Sequence, residues 1–184
     1  IAAYFNQISN NVYPGRLALV LEKVGDLPYG ENPHQRAAFY RETTHRSGSL
    51  ADATQLHGAP PTFNNLMDLE AAYRIASDDT APTVVITKHT DRVGLASAEE
   101  LVEAYRRALD TDPVSSFGGI VGVNRELDGA TAREIAANSF EAVIAPGFSQ
   151  AAIGILRAKP GLELLAVPAS PASGMRDYGI ANLD

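Results

Sequence analysis

Lys88-His89 sets side by side two groups suited to acyl-type chemistry. An ammonium offers positive charge to an oxyanion or phosphate, and an imidazole titrates near neutrality and can move protons. The pair follows Thr83–Thr87 (TVVIT), a short β-branched run that reads as a buried strand. Neighbours on a straight strand point to opposite faces, but a turn at the strand end can bring both to one pocket. A surface lysine beside a locally bonded histidine is the other reading, and the dipeptide alone leaves both open.

Other segments carry polar groups or glycines where a ligand could approach. Tyr29–Gln35 (YGENPHQ) is a compact loop able to present backbone N–H groups and Tyr, Asn and Gln side chains to an anion, or else a structural turn. Asp112–Gly119 (DPVSSFGG) joins hydroxyls to a glycine pair that admits close backbone approach, or else is a bent connector. Asn64-Asn65 reads as a helix cap more readily than as a ligand contact, with Asp68 competing for that cap. In open α/β sheets ligands gather beyond the carboxyl ends of strands. That rule selects Lys88-His89, Asp112–Gly119, Ala145-Pro146-Gly147 and, if it folds over that edge, Tyr29–Gln35. No P-loop, GxGxxG or GxSxG is present.

The elements that must position these groups follow from periodicity. Leu17–Val24 and residues 36–41 read as strands, and 42–53 and 58–61 as loops. Leu69, Ala72, Tyr73 and Ala76 repeat at helical spacing. Ser97 with Glu100 fits a capping box opening a helix that carries Leu101, Val102, Tyr105, Ala108 and Leu109. Gly118–Val123, Ala142–Ala145 and Leu162–Val167 read as strands. Between them lie a helix over Thr131–Asn138, with Ile135 inward, and one capped by Ser149 that buries Ile153 and Leu156. The order β-α-β-α-β-α-β over 83–167 implies an α/β fold with helices on both faces of a largely parallel central sheet. Residues 168–184, rich in Pro, Ser and Gly, read as a surface loop.

Composition removes several classes of function. With 45% hydrophobic and 20% charged residues in 184, the chain reads as a soluble globular domain. It has no cysteine, which excludes disulfides, a thiolate nucleophile and cysteine-ligated zinc. The four histidines lack HExxH spacing, so no metal site is expected. A net charge of −7 argues against non-specific nucleic-acid binding while leaving room for a local anion site. No apolar run approaches the roughly 18 residues of a membrane span, and no signal peptide is visible. The first residue, Ile1, and the ending at Asp184 within an apparent loop suggest a piece of a longer polypeptide.

Taken together, ordered blocks carry a resemblance. Tyr29–Gln35 (YGENPHQ), Gly58–Asp68 (GAPPTFNNLMD), Lys88-His89 with Gly94, Asp112–Gly119 (DPVSSFGG) and Val143–Ser149 (VIAPGFS) resemble the first half of the transformylase domain in the bifunctional AICAR transformylase/IMP cyclohydrolase family. Ile1–Phe5 (IAAYF) resembles the end of that family's cyclohydrolase domain. The resemblance implies three parts. Residues 1–25 are the end of the cyclohydrolase domain and a linker, 26–167 the first cytidine-deaminase-like α/β/α half, and 168–184 a loop leading to a second half. It implies a cytoplasmic homodimer of purine (IMP) synthesis, with no metal used in the transfer. Its transformylase sites lie near the subunit interface, and a formyl group passes from the co-substrate 10-formyltetrahydrofolate to the 5-amino group of AICAR. Residue by residue, it implies Lys88 and His89 as the catalytic pair, Tyr29 at the substrate 5′-phosphate, Asn65 against the nucleotide, and Gly118 and Gly119 where backbone approaches it.

The chain departs from the family at two places. Pro28 stands where the phosphate loop has arginine, with Arg36 or Arg16 as candidate substitutes. Thr90-Asp91-Arg92-Val93 stands where bacterial members have Ala-Asn-Pro-Cys. Without the second half and most of the folate site, the 184-residue chain by itself is expected to show no transformylase or cyclohydrolase turnover, and to expose apolar surface. The alternative is a non-catalytic half-domain that binds a nucleotide or a protein partner. A zinc deaminase does not fit a chain without cysteine.

Overall fold

The computed structural model describes residues 20–42 and 48–168. The expected strand start at 17–19, Arg16, the 1–19 part of the proposed linker and the loop over 169–184 lie outside those residues.

The element order is β1 (Leu21–Leu27), β2 (Ala37–Glu42), a 3-10 turn (Leu50–Asp52), β3 (Thr54–His57), α1 (Phe63–Ser77), β4 (Thr83–Lys88), β5 (Asp91–Ser97), α2 (Leu101–Thr111), β6 (Gly119–Val123), α3 (Gly129–Ala136), β7 (Phe140–Ala145), α4 (Gln150–Leu156) and β8 (Glu163–Ala166). β1 and β2 form an antiparallel hairpin, and the other six strands make one sheet in the order β3-β8-β7-β6-β4-β5. The sheet is mixed. Its centre, β6-β7-β8, is parallel and built from β-α-β units, while β3, β4 and β5 pair antiparallel.

The strands are hydrophobic on both faces because both are covered. Val84, Ile86, Val121, Val123, Val143 and Leu164 pack with α2, α3 and α4 through Tyr105, Ala108, Ile135 and Leu156. Ile120, Ala142, Ile144 and Leu165 point the other way, onto Leu66, Leu69, Ala72 and Tyr73 of α1. The α/β class and the three-layer arrangement therefore stand as read from the sequence.

Three local readings change. Thr62, not Asn64, Asn65 or Asp68, caps α1, its hydroxyl accepting from the Asn65 amide. Ser97 closes β5 and donates to Asp79 at 2.7 Å, so the capping box before α2 is not made. Between β4 and α2 the chain adds β5, which turns it back on itself and makes β4 antiparallel to β6.

Layer spacing depends on glycine at one crossing. A Cβ on Gly122 would lie 2.6 Å from the Ala72 carbonyl carbon and 2.8 Å from its oxygen. Backbone atoms cannot rotate away, so Gly122→Ala is expected to cost about 3 kcal/mol through forced separation of α1 from β6. Urea midpoints should show it against Gly25→Ala, where an added Cβ meets nothing within 4 Å. Equal midpoints for the two variants would refute the close-packing account.

Candidate functional site

The reversal at β5 decides which groups share an edge. Because β4 runs antiparallel to β6, its carboxyl end sits beside the amino ends of β6, β7 and β8. Lys88-His89 and Gly118-Gly119 meet there, and a Cβ on Gly119 would lie 2.8 Å from the Thr87 carbonyl oxygen. Ala145-Pro146-Gly147 follows the carboxyl end of β7 and lies on the opposite edge. The carboxyl-end rule thus selects segments that the structure places on two different edges, since it presumes that all the strands point the same way.

Lys88 ends β4, half-buried, and its Nζ donates to the Phe117 carbonyl at 2.7 Å, next to Gly118. His89 and Thr90 form a two-residue connection between the paired residues Lys88 and Asp91. Both have positive φ, 55° and 63°. Such hairpin turns favour Asn-Gly because both central residues sit in the left-handed region. For a histidine and a β-branched threonine that conformation costs on the order of 1–2 kcal/mol per residue. The ladder is also irregular here, with Ile86 paired to Gly94 and Thr87 to Arg92, which leaves Val93 as a bulge.

Asp68 of α1 reaches this turn. Its Oδ2 accepts the His89 amide at 3.0 Å, and its Oδ1 accepts the Thr90 amide. Its main-chain carbonyl accepts from the Thr87 hydroxyl at 3.1 Å. Asn65 lies one helical turn earlier, on the same face as Asp68. Its side chain is fixed at both ends. The Thr62 hydroxyl donates to its Oδ1 at 2.9 Å, and its Nδ2 donates to Glu163 Oε1 at 3.2 Å.

Glu163, at the start of β8, is 7% exposed, and its Oε2 is buried with no hydrogen-bond partner in the structure. Burial pushes its carboxyl up to about 7. The Asn65 bond opposes the shift, and the Glu141 charge adds to it. Glu163 carries no motif signal. An acidic residue heading a strand reads as a solvated end, and only the three-dimensional fold buries it.

Tyr29 is half-buried in its loop, and the loop is tied to the start of α1 by Asn64 Nδ2 donating to the Glu31 carbonyl at 3.4 Å. Pro28 and Arg36 are exposed. Asp112 accepts from the Ser115 amide and hydroxyl at 2.9 and 2.6 Å, and these bonds hold its carboxyl below the usual range while fixing the turn into Phe117-Gly118.

The structure therefore brings Lys88, His89, Gly118, Gly119 and Asn65 to one edge, with Tyr29 on a loop that meets the helix carrying Asn65. His89 is exposed. A groove of about 350 Å³, bordered by Val24, Phe39, Leu50, Pro61, Leu66 and Leu165, lies under the β1–β2 hairpin and includes neither Lys88 nor His89. Among the described residues, no three His, Asp or Glu side chains are grouped to hold a metal ion. No helix of the described residues is long and apolar enough to cross a membrane.

Comparison with known proteins agrees with the ordered blocks. The family model described as AICARFT/IMPCHase bienzyme matches residues 1–180. Two relatives, each called bifunctional purine biosynthesis protein PurH, come from Ruminiclostridium cellulolyticum and Acetivibrio thermocellus. They are 43% and 45% identical to the chain over 166 residues, which is 90% of the chain and 32% of each relative. The chain spans about a third of the length of these curated relatives.

Proposed function

The chain belongs to the AICARFT/IMPCHase bienzyme family, and from that premise we propose that it is the first half of a transformylase domain, supplying the reacting pair for formyl transfer to AICAR. The observation that carries this reading is the meeting of the Lys88–His89 turn with Asn65 and the Gly118-Gly119 backbone at one sheet edge.

The chemistry asks for such a pair. The lone pair of the AICAR 5-amino group is delocalised into the ring and carboxamide, which makes it a poor nucleophile. Its attack on the formyl carbon of 10-formyltetrahydrofolate forms a C–N bond and leaves an oxyanion and an ammonium-like nitrogen. His89 takes the amine proton, and Lys88 sets its positive charge toward the oxyanion. The oxyanion then re-forms the carbonyl, the bond from the formyl carbon to folate N10 breaks, and N10 leaves with the proton that His89 took from the amine. Asn65 and the Gly118-Gly119 backbone hold the nucleotide, and Tyr29 its 5′-phosphate. In this reading 10-formyltetrahydrofolate is a co-substrate, and the complete protein is a cytoplasmic homodimer. Residues 1–25 are the end of the cyclohydrolase domain and a linker, 26–167 the first half of the transformylase domain, and 168–184 a loop leading to a second half that closes the site over the exposed His89.

A formyl-transfer assay tests this directly. The complete reading frame around this chain should turn over AICAR, and the 184-residue chain alone should not, because His89 lies open to water. No turnover by the complete protein would favour the rival reading, a half-domain that only binds a nucleotide or a partner. Turnover by the isolated chain above a Lys88→Ala control would overturn its assignment as an incomplete site.

Pro28 gives a second measurement. Restoring arginine there should add a charge-assisted phosphate contact worth about 1.5–3 kcal/mol, tightening AICAR roughly 10–150-fold. Calorimetric titration of the complete protein should show the gain with the nucleotide and lose it with the dephosphorylated nucleoside. An equal gain with both would remove Tyr29 and its loop from the phosphate.

A further inference from the structure

We propose that Asp68 is a positioning residue for Lys88 and His89, its carboxylate holding their turn in the left-handed backbone form that fixes where ammonium and imidazole point. The proposal rests on the reading of Lys88 and His89 as the reacting pair.

The turn asks for an outside partner. In a two-residue hairpin the central amides lie beyond the last strand pair, here Lys88 with Asp91, and so fall outside the ladder. Left in that form without an acceptor, His89 and Thr90 would relax toward negative φ, because neither is glycine. Asp68 supplies one carboxylate oxygen to each amide. Backbone N–H bonds to a carboxylate are charge-assisted and stronger than neutral ones.

The anchor is itself rigid. Asp68 stands on α1 between Leu66 and Leu69, both buried against the sheet. Its main-chain carbonyl takes the Thr87 hydroxyl, so Asp68 binds residues 87, 89 and 90, while Lys88 between them is held by the Phe117 carbonyl. Ties from α1 and from the loop before β6 thus converge on four consecutive residues. The same helix face carries Asn65 one turn away. Asp68 thereby couples the position of the Lys88–His89 turn to a side chain read as a nucleotide contact. Asp68 touches no reacting atom, and its effect passes through the backbone of the pair.

The test is carried out in the complete enzyme. Asp68→Asn keeps the size of the side chain but turns one acceptor into an N–H₂ that opposes an amide. It should lower kcat by about 10–100-fold through misplacement of the pair, with KM for the nucleotide changed by less than about threefold. Thr90→Gly in the same background should bring kcat back to within about threefold of the parent, because glycine takes positive φ without an anchor. Thr90→Gly alone should stay near the parent rate. Retention of kcat by Asp68→Asn would overturn the proposal, as would a loss that Thr90→Gly fails to restore, since a residue that only stabilises the fold would not be rescued by turn flexibility. In both cases loss of turnover in His89→Ala shows that the reading of the pair still stands. If His89→Ala turns over normally, that reading fails and takes the proposal with it. Amide NMR of the 184-residue chain reads the anchor without activity: the His89 and Thr90 signals should move together in Asp68→Asn, and unmoved signals would also overturn it.

Discussion

In the complete enzyme, His89→Ala is expected to lower kcat for formyl transfer by about 10²–10⁴-fold, and Lys88→Ala by a similar factor. In the proposed mechanism both side chains act at a point where charge appears during reaction. Without the imidazole, the ammonium-like nitrogen must lose its proton to water. Without the ammonium, the oxyanion faces only the backbone. Neither change removes a contact assigned to the bound nucleotide, so KM should move little, and the loss should appear equally in kcat and kcat/KM. The double variant should be scarcely worse than the poorer single one, because the two groups serve a single transition state. Steady-state kinetics with AICAR and the formyl-folate donor provides the check. A His89→Ala enzyme that keeps more than half the parent kcat would falsify the assignment. The Lys88→Ala result carries a structural control, because Lys88 also ties β4 to the Phe117 carbonyl. Lys88→Arg keeps the charge and can keep that tie. Recovery of folding without recovery of rate would separate the ammonium's chemical role from its role in packing.

The parts of the fold legible in the sequence are those with strong local signals. β4, β6, β7 and β8 are short apolar runs, and α4 carries its Ser149 cap, which accepts the Ala152 amide at 3.2 Å. β3 and β5 were hidden for a shared reason. Both are edge strands, four and seven residues long, whose solvent-facing positions carry Gln, Asp and Arg. The hairpin between β4 and β5 has no Asn-Gly or Asp-Gly to announce it, because its turn is His89-Thr90 held from outside. That reversal sets β4 antiparallel to β6 and leaves Ala145–Gly147 on the far edge; without it β4 would run parallel to β6 and the two segments would share an edge. The candidate site was legible where a residue type suggests its chemistry, as with Lys88-His89, or where the resemblance of the ordered blocks points to it, as with Asn65 and Gly118-Gly119. Asp68 and Glu163 act through contacts 21 and 98 residues away along the chain, and no window of sequence contains such pairs.

Glu163 gives the second large effect, and its sign follows from proton linkage. An ordinary glutamate in the unfolded chain releases its proton near 4.5, whereas in the folded protein burial holds it to about 7. Below about pH 4.5 both states carry the proton, and this group contributes no pH dependence. Between those values the folded state binds the proton and the unfolded state does not, so stability falls as pH rises. Above about 7 both states are ionised, and the folded state bears the cost of a charge whose Oε2 has no partner, about 3 kcal/mol for a shift of this size. Glu163→Gln keeps an oxygen to accept from Asn65 Nδ2 and removes the charge. The variant should therefore match the parent near pH 4.5 and become the more stable protein by up to about 3 kcal/mol at pH 8. Urea unfolding of the 184-residue chain across that range is the measurement. Parallel curves for parent and variant would show that Glu163 ionises in the fold as readily as in the unfolded chain. Glu141→Gln should flatten the parent's slope far less, since the Glu141 charge is the smaller contribution and Glu141 is exposed. The same titration reaches the proposed site. Asn65 Nδ2 donates to this carboxyl, so ionisation draws that amide more tightly toward Glu163. If Asn65 contacts the nucleotide, AICAR binding by the complete enzyme should change between pH 6 and 8 in the parent and stay level in Glu163→Gln.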